Sequence, residues 1–249
     1  MIDLTGKTAL VLGGSRGIGA ETATTLARQG ADVAITYARS AERAEAVVRA
    51  VRGLGRRGLA IEADALSRGA ATGAVARTVA EFGRLDVLVA AAGTFDTPPI
   101  GEVDDDRYDK SFDVHVRSVF EAVRAAVPRM TDGGTIVTVG SIFGDIAPFP
   151  GLTVYTASKA AEAGLTRALA RELGSAGITA NTIQPGPIDT EMNPAAEGAN
   201  PMAATQAGST ALGRYGAPAD IGALVAYLAS DSGRFITGQT LNVDGGWTA

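Results

Sequence analysis

Residues 8–19 read Thr8-Ala9-Leu10-Val11-Leu12-Gly13-Gly14-Ser15-Arg16-Gly17-Ile18-Gly19, and this stretch decides the fold. The apolar run 8–12 predicts a buried strand, the glycines a tight turn, and the Ala-rich segment 20–29, closed by Gly30, a helix. Strand, glycine turn and helix is the order a phosphate site needs. Glycine lets the backbone approach a pyrophosphate, and the free N–H groups and dipole at the helix start favour its negative charge. Alone such a loop is weak support; directly after a first strand near the N-terminus it points more strongly to a nucleotide site.

Outward from that stretch the pattern repeats. Strands are expected over 33–37, 59–63, 85–90, 135–139, 178–183 and 240–243, and helices over 41–54, 70–82, 154–175 and 221–229. Asp104-Asp105-Asp106 complements the dipole at the start of a helix running to about residue 127. Strands alternating with helices of this length imply right-handed crossovers and an α/β fold, a Rossmann-type doubly wound parallel sheet with helices on both faces. The segment 191–212, rich in Asn, Pro, Gly and Ala, breaks the rhythm as either a functional lid or a disordered segment does, and a substrate lid at about 190–212 is expected. No linker or repeat divides the chain, so one domain over 1–249 is expected.

The composition excludes several function classes. A net charge of -5 argues against a nucleic-acid surface. Arg49, Arg52, Arg56 and Arg57 follow Glu42 and Glu45 along one expected helix and read as a solvated face. There is no cysteine, hence no disulfide, thiol nucleophile or thiolate zinc site, and the single histidine, His115, leaves no histidine cluster for a metal. No apolar run approaches a membrane span and no signal core opens the chain, so the expectation is a cytoplasmic protein away from membranes.

Chemistry enters with Tyr155-Thr156-Ala157-Ser158-Lys159, preceded by Ser141. Residues at i and i+4 share a helical face, so the phenol and the ammonium lie one above the other. A cation about 4 Å away at an effective dielectric of ~20 is worth ~4 kcal/mol, about three pKa units, enough to bring a phenol toward neutral pH as a general acid/base.

With the glycine loop, the alternation and this set in order, the chain resembles the short-chain dehydrogenases/reductases, in particular the NADP(H)-dependent ketoreductases of the 3-oxoacyl-acyl-carrier-protein type. Further matching motifs are Asp64 after the third strand, Ala92-Gly93 after the fourth, Pro185-Gly186-Pro187-Ile188-Asp189-Thr190, and Asn242-Val243-Asp244-Gly245-Gly246. The resemblance implies that Ser141 holds the substrate oxygen, Tyr155 gives or takes the proton, and Lys159 lowers the tyrosine pKa while binding the nicotinamide ribose. It further implies that Gly13, Ser15, Arg16, Gly17, Ile18 and Gly19 cradle the pyrophosphate. Asp64 and Ala65 meet the adenine, Ala90, Ala91, Ala92 and Gly93 pass the adenosine ribose, and Pro185, Gly186, Ile188 and Thr190 hold the nicotinamide. A homotetramer built on helices over 107–127 and 154–175 is also implied.

Three positions depart from the family pattern. Leu12 replaces a threonine before the glycine loop, Ala90-Ala91 replaces an asparagine pair, and His115 stands where an asparagine usually helps pass protons from the lysine to solvent. An imidazole there either shuttles protons itself or only packs the helix. For cofactor choice, the second strand ends Tyr37-Ala38-Arg39-Ser40 with no carboxylate at its tip, Asp32 lies at the opposite end, and Arg16 and Arg39 are cations in reach of a 2′-phosphate. NADP(H) is therefore expected, with Ala38 and Ser40 flanking the phosphate. The substrate is expected to be a small or medium ketone or 3-oxoacyl ester against Phe95, Ile142, Phe143, Phe149 and Met192, which flank Ser141 and Tyr155. The same residues run backwards serve an alcohol or polyol dehydrogenase. The segment 184–190 with Asn193-Pro194 and Pro201-Met202 also resembles a biofilm-dispersal member of the family linked to cyclic di-GMP.

Overall fold

The computed structural model of the chain describes residues 2–196 and 198–249. Its strands are β1 (Thr8–Leu12), β2 (Asp32–Tyr37), β3 (Gly58–Glu62), β4 (Leu85–Ala90), β5 (Met130–Val139), β6 (Thr179–Pro185) and β7 (Thr240–Val243). They form a seven-stranded sheet in the order β3-β2-β1-β4-β5-β6-β7, with every neighbouring pair parallel. The helices are α1 (Gly17–Arg28), α2 (Ala41–Gly53), α3 (Ala70–Phe82), α4 (Asp105–Phe112), α5 (Ser118–Ala126), α6 (Thr153–Leu173), α7 (Ala203–Gly208) and α8 (Pro218–Ala229).

Both faces of the sheet are covered, which is why β1 and β4 are buried along their whole length and read as continuous apolar runs rather than alternating ones. Alternation decides only which core each side chain joins. Ala9 and Val11 pack with Leu26, Val48 and Val225 from α1, α2 and α8, while Leu10 and Leu12 pack with Val75, Val119 and Leu173 from α3, α5 and α6. Each fully buried Leu or Ile, such as Leu10, Leu88 or Ile136, contributes about 1.5–3 kcal/mol relative to exposure.

Several boundaries differ from the sequence expectation, each for a physical reason. Helix α1 begins at Gly17, because Gly17-Ile18-Gly19 form its first turn instead of ending the loop. Strand β5 reaches back to Met130; Gly133, at φ +87°, breaks the sequence pattern but is absorbed by a register shift between Leu85 and Val87. The long helix after Asp104 is split into α4 and α5 by a π-helical turn, Asp113–Arg117, with His115 at its middle. Asp104 does cap α4, accepting the Arg107 N–H at 2.8 Å.

The arginines are not a plain solvated face. Arg56 and Arg57 lie beyond the end of α2, Arg52 and Arg56 donate to the Gly58 and Gly30 carbonyls, and Arg57 pairs with Asp32 at 2.7 Å while lying over Phe82. No helix of the described residues is long and apolar enough to cross a membrane.

Candidate active site

Because all strands run parallel, the loops leaving their C-terminal ends share one edge of the sheet, and the strand order reverses between β1 and β4, leaving a crevice there. A cavity of about 640 Å³ fills it. Its wall carries Gly13, Ser15, Arg16, Gly17, Ile18 and Gly19 after β1, Ala38, Arg39 and Ser40 after β2, Asp64 and Ala65 after β3, Ala91, Ala92 and Gly93 after β4, and Pro185, Gly186, Ile188 and Thr190 around the end of β6. Ala90 stays behind the wall, spent in the β4 ladder opposite Leu12 and Thr138.

The fit of this crevice to a dinucleotide phosphate is made by missing atoms. A Cβ on Gly13 would sit 2.6 Å from Ala92 Cα, one on Gly19 would sit 2.3 Å from the Gly13 carbonyl oxygen, and Gly13 is held at φ +73°. Arg16 and Arg39 line the cavity with exposed side chains, and among the described residues no hydrogen bond or ion pair engages either guanidinium. Two free cations beside a strand tip lacking a carboxylate suit a phosphorylated ribose. The departure at Leu12 is compensated from the neighbouring strand: Thr36 Oγ1 accepts the Gly13 N–H at 2.9 Å and Thr36 O accepts the Gly14 N–H at 3.0 Å.

On the other side of the crevice the structure brings Ser141, Tyr155 and Lys159 to the same cavity. Ser141 lies two residues beyond the end of β5 and caps a 3-10 turn, its Oγ accepting the Phe143 N–H at 3.1 Å, so its own proton is free to be donated. Tyr155 stands in the first turn of α6, with Phe95 edge-on at 4.9 Å and His115 edge-on at 5.6 Å. Lys159, 3% exposed, does not spend its charge on Tyr155 alone. Its Nζ donates to the Val139 carbonyl and to Glu162, each at 2.9 Å. Burial works against the ammonium, but the Glu162 carboxylate and then Tyr155 outweigh it, holding Lys159 above the usual lysine range. Glu162 is absent from the sequence reading, although its i,i+3 spacing from Lys159 is a signal that finds it.

His115 is 1% exposed, and burial followed by the nearby Lys159 charge pushes it down to about 2, so at neutral pH the ring is uncharged. Its Nε2 accepts the Thr94 N–H at 3.1 Å, which leaves Nδ1–H to donate to Ser158 Oγ at 2.9 Å; Ser158 in turn donates to the Tyr155 carbonyl at 2.8 Å. With both nitrogens engaged, the uncharged imidazole ties the loop after β4 to the first turn of α6.

The remaining wall is apolar. Phe95, Ile142, Phe143 and Met192 line it, and so does Trp247, whose ring meets Phe143 at 5.9 Å; Phe149 sits outside the lining, edge-on to Phe143 at 5.4 Å. Trp247 escapes a sequence reading because β7 and the turn at Asp244 are needed to bring it there, Asp244 accepting the Gly246 N–H at 2.9 Å and the Thr248 N–H at 3.0 Å. The segment 190–212, of which residue 197 lies outside the described residues, holds the short helix α7, and Gln206 from it lines the cavity. Tyr215 donates to Gln206 Oε1 at 2.5 Å, and Asn200 Nδ2 donates to Tyr215 and Asn193. Arg43 of α2 reaches Glu191 at 2.5 Å, an exposed pair worth about 0–1 kcal/mol. Among the described residues no group of His, Asp and Glu is placed to hold a metal ion.

A family model described as enoyl-(acyl carrier protein) reductase matches residues 13–248. Together with the relatives below, the fold and the site make this chain a member of the short-chain dehydrogenase/reductase family and an oxidoreductase. A solved short-chain dehydrogenase of Burkholderia cenocepacia J2315, in complex with NADP, superposes with a TM-score of 0.96 at 47% identity, covering 99% of each chain. The 3-oxoacyl-(acyl-carrier-protein) reductase FabG of Staphylococcus aureus is 38% identical over 96% of this chain and 97% of its own. A cyclic-di-GMP-binding biofilm dispersal mediator protein of Escherichia coli is also 38% identical, over 98% of each.

Proposed function

We propose that the chain is an NADP(H)-dependent reductase of ketones and 3-oxoacyl-type carbonyls, with Tyr155 as the proton donor. The observation that carries this reading is the meeting of two half-sites in one cavity: the glycine loop with its unengaged Arg16 and Arg39, and Ser141 with Tyr155 and Lys159. The Burkholderia relative's NADP complex and the FabG likeness point the same way.

When bound, NADPH supplies hydride to the carbonyl carbon, which leaves negative charge on the oxygen. Arg16 and Arg39 hold the 2′-phosphate, and the N–H groups at the start of α1 hold the pyrophosphate. Ser141 Oγ–H donates to the substrate oxygen, Tyr155 Oη gives it the proton, and Lys159 binds the ribose while its charge favours the resulting phenolate. Phe95, Ile142, Phe143, Met192 and Trp247 exclude water and prefer carbonyls flanked by apolar groups. The segment 190–212 closes over them as a lid, α7 and the Tyr215 network giving it one packed form. The half-exposed Tyr108 and Phe120 on α4 and α5 suit burial between subunits of a homotetramer; light scattering that returned the mass of one protomer would exclude it.

The test is NADPH consumption over a panel of apolar ketones and 3-oxoacyl esters, with Tyr155→Phe as the control. The wild type turns over and the variant loses about 10²–10⁴-fold in kcat, the usual share of a general acid; full turnover by the variant sinks the assignment. An alcohol or polyol dehydrogenase uses the same residues in reverse and is separated by running the panel with NADP⁺ and alcohols. A second reading, binding of cyclic di-GMP, is favoured by the Escherichia coli relative, and calorimetric titration with that nucleotide in the same series decides it.

A further inference from the structure

We propose that Glu162 is a positioning residue for the acid/base pair: it aims Lys159 Nζ into the cavity, and its charge sets the pH at which Tyr155 and Lys159 together give up a proton. This rests on the reading of Tyr155 as proton donor.

The aim follows from counting donors. An ammonium has three N–H groups on a four-carbon stem that rotates freely in solvent. Here the Val139 carbonyl takes one and Glu162 Oε2 another, both at 2.9 Å, and one N–H remains for the cavity that Lys159 lines. Glu162 is itself 2% exposed on the next turn of α6, so the carboxylate that Lys159 meets is held inside the fold and not offered to water.

The Glu162 charge also decides what Tyr155 faces. Burial raises the Glu162 carboxyl above the usual carboxylate range, against the Lys159 ammonium at 2.9 Å that lowers it; with Glu162 ionised beside it, Lys159 presents a nearly compensated pair, and without Glu162 a bare cation in a low-dielectric interior. Removing the carboxylate charge eases proton loss from Tyr155, which then faces an unopposed cation, and equally from Lys159, which then lacks its counter-charge. Both changes move the coupled titration of the pair to lower pH. Few other ionisable groups face the pair. The π-helical turn contributes His115, which is neutral, and α4 contributes Lys110, exposed at the cavity mouth. The parts of β5 and β6 and the 3-10 turn packed there (135–139, 179–185 and 142–144) contain no ionisable side chain.

The direction is the same whichever member titrates first. Reduction needs the donor protonated and the ammonium charged, so kcat/KM for ketone reduction is lost as pH rises through the pair's apparent pKa. The experiment is the pH profile of kcat/KM with NADPH for the wild type, Glu162→Gln and Glu162→Asp, with Tyr155→Phe as control. Tyrosinate absorbance of wild type and of each Glu162 variant, each minus its Tyr155→Phe counterpart, is titrated alongside. The alkaline limb of Glu162→Gln is expected about one pH unit or more below that of wild type, with Glu162→Asp between them. A limb that stays put or moves up, while Tyr155→Phe is inactive, overturns the role of Glu162 and leaves Tyr155 standing. Turnover retained by Tyr155→Phe instead refutes the donor assignment itself. Should Glu162→Gln not fold, Glu162→Asp and its tyrosinate titration carry the test, and an unmoved midpoint there overturns the proposal.

Discussion

The two walls of the cavity are built on opposite principles. On the β1 side the shape is made by backbone: Gly13 and Gly19 leave out the Cβ atoms that would collide with Ala92 and with the loop itself. On the α6 side it is made by buried polar side chains from the π-helical turn and α6, in two hydrogen-bonded pairs: His115 with Ser158, and Lys159 with Glu162. The first wall is rigid because nothing else fits, whereas the second is rigid because its charges and hydrogen bonds leave no good alternative. Perturbing the first should therefore act on binding regardless of pH, and perturbing the second should act through protons.

The largest effect is expected at Gly13. Gly13→Ala combines a Cβ 2.6 Å from Ala92 with φ +73°, a cost of roughly 3 kcal/mol that the loop relieves by leaving the cradle shape and that binding must then restore, so NADPH affinity by calorimetry should fall by up to about 100-fold. The fall should be the same at pH 6 and pH 8; a change under threefold would break the contrast.

Next in size is Arg39→Asp, which replaces a charge-assisted bond of about 1.5–3 kcal/mol with repulsion. The ratio of kcat/KM for NADPH over NADH should drop about 10- to 100-fold or more, and an unchanged ratio would remove Arg39 from the 2′-phosphate site.

The smallest effect, and the sharpest for the second wall, is at His115. Its folded pKa of about 2 lies below the ordinary 6.5, so as pH falls through 6.5 the unfolded chain takes up the proton first. Its share of the stability is whole above pH 6.5 and is lost below it, at up to about 1.4 kcal/mol per pH unit. Urea unfolding at pH 7 and pH 5 should show wild type losing about 2 kcal/mol more than His115→Asn over that interval. Equal losses would mean that the ring is charged or exposed.

The same contrast explains what the sequence made legible. A glycine loop is local, so residues 13–19 declare both their conformation and their chemistry without help from the rest of the chain, and the parallel alternation follows from the same kind of short-range pattern. Tyr155 and Lys159 are likewise read from residue type and spacing, and Ser141 from the family resemblance. The restraint of Lys159 by the Val139 carbonyl is not, because it needs β5 placed against α6. The tautomer of His115 depends on Thr94 and Ser158, distant in sequence, and Thr36 supports the glycine loop from a neighbouring strand. Trp247 reaches the cavity only once β7 has docked on β6. Helix α7 is missed because six residues of mostly Ala, Thr and Gly carry almost no apolar period.

The π-helical turn between α4 and α5 makes that stretch sensitive to length in a way the surrounding surface is not. A π-turn carries one residue more than the α-turn it replaces, so deleting one residue beside His115 within 113–117 would let the turn close as ordinary α-helix with α4 and α5 still in phase, while the side chains inside the turn are re-aimed. His115 would swing away from Ser158 while α5 kept its seat on the sheet. Insertions and deletions in this turn thus act on the aim of His115, and the stretch is constrained in residue count as well as at that residue.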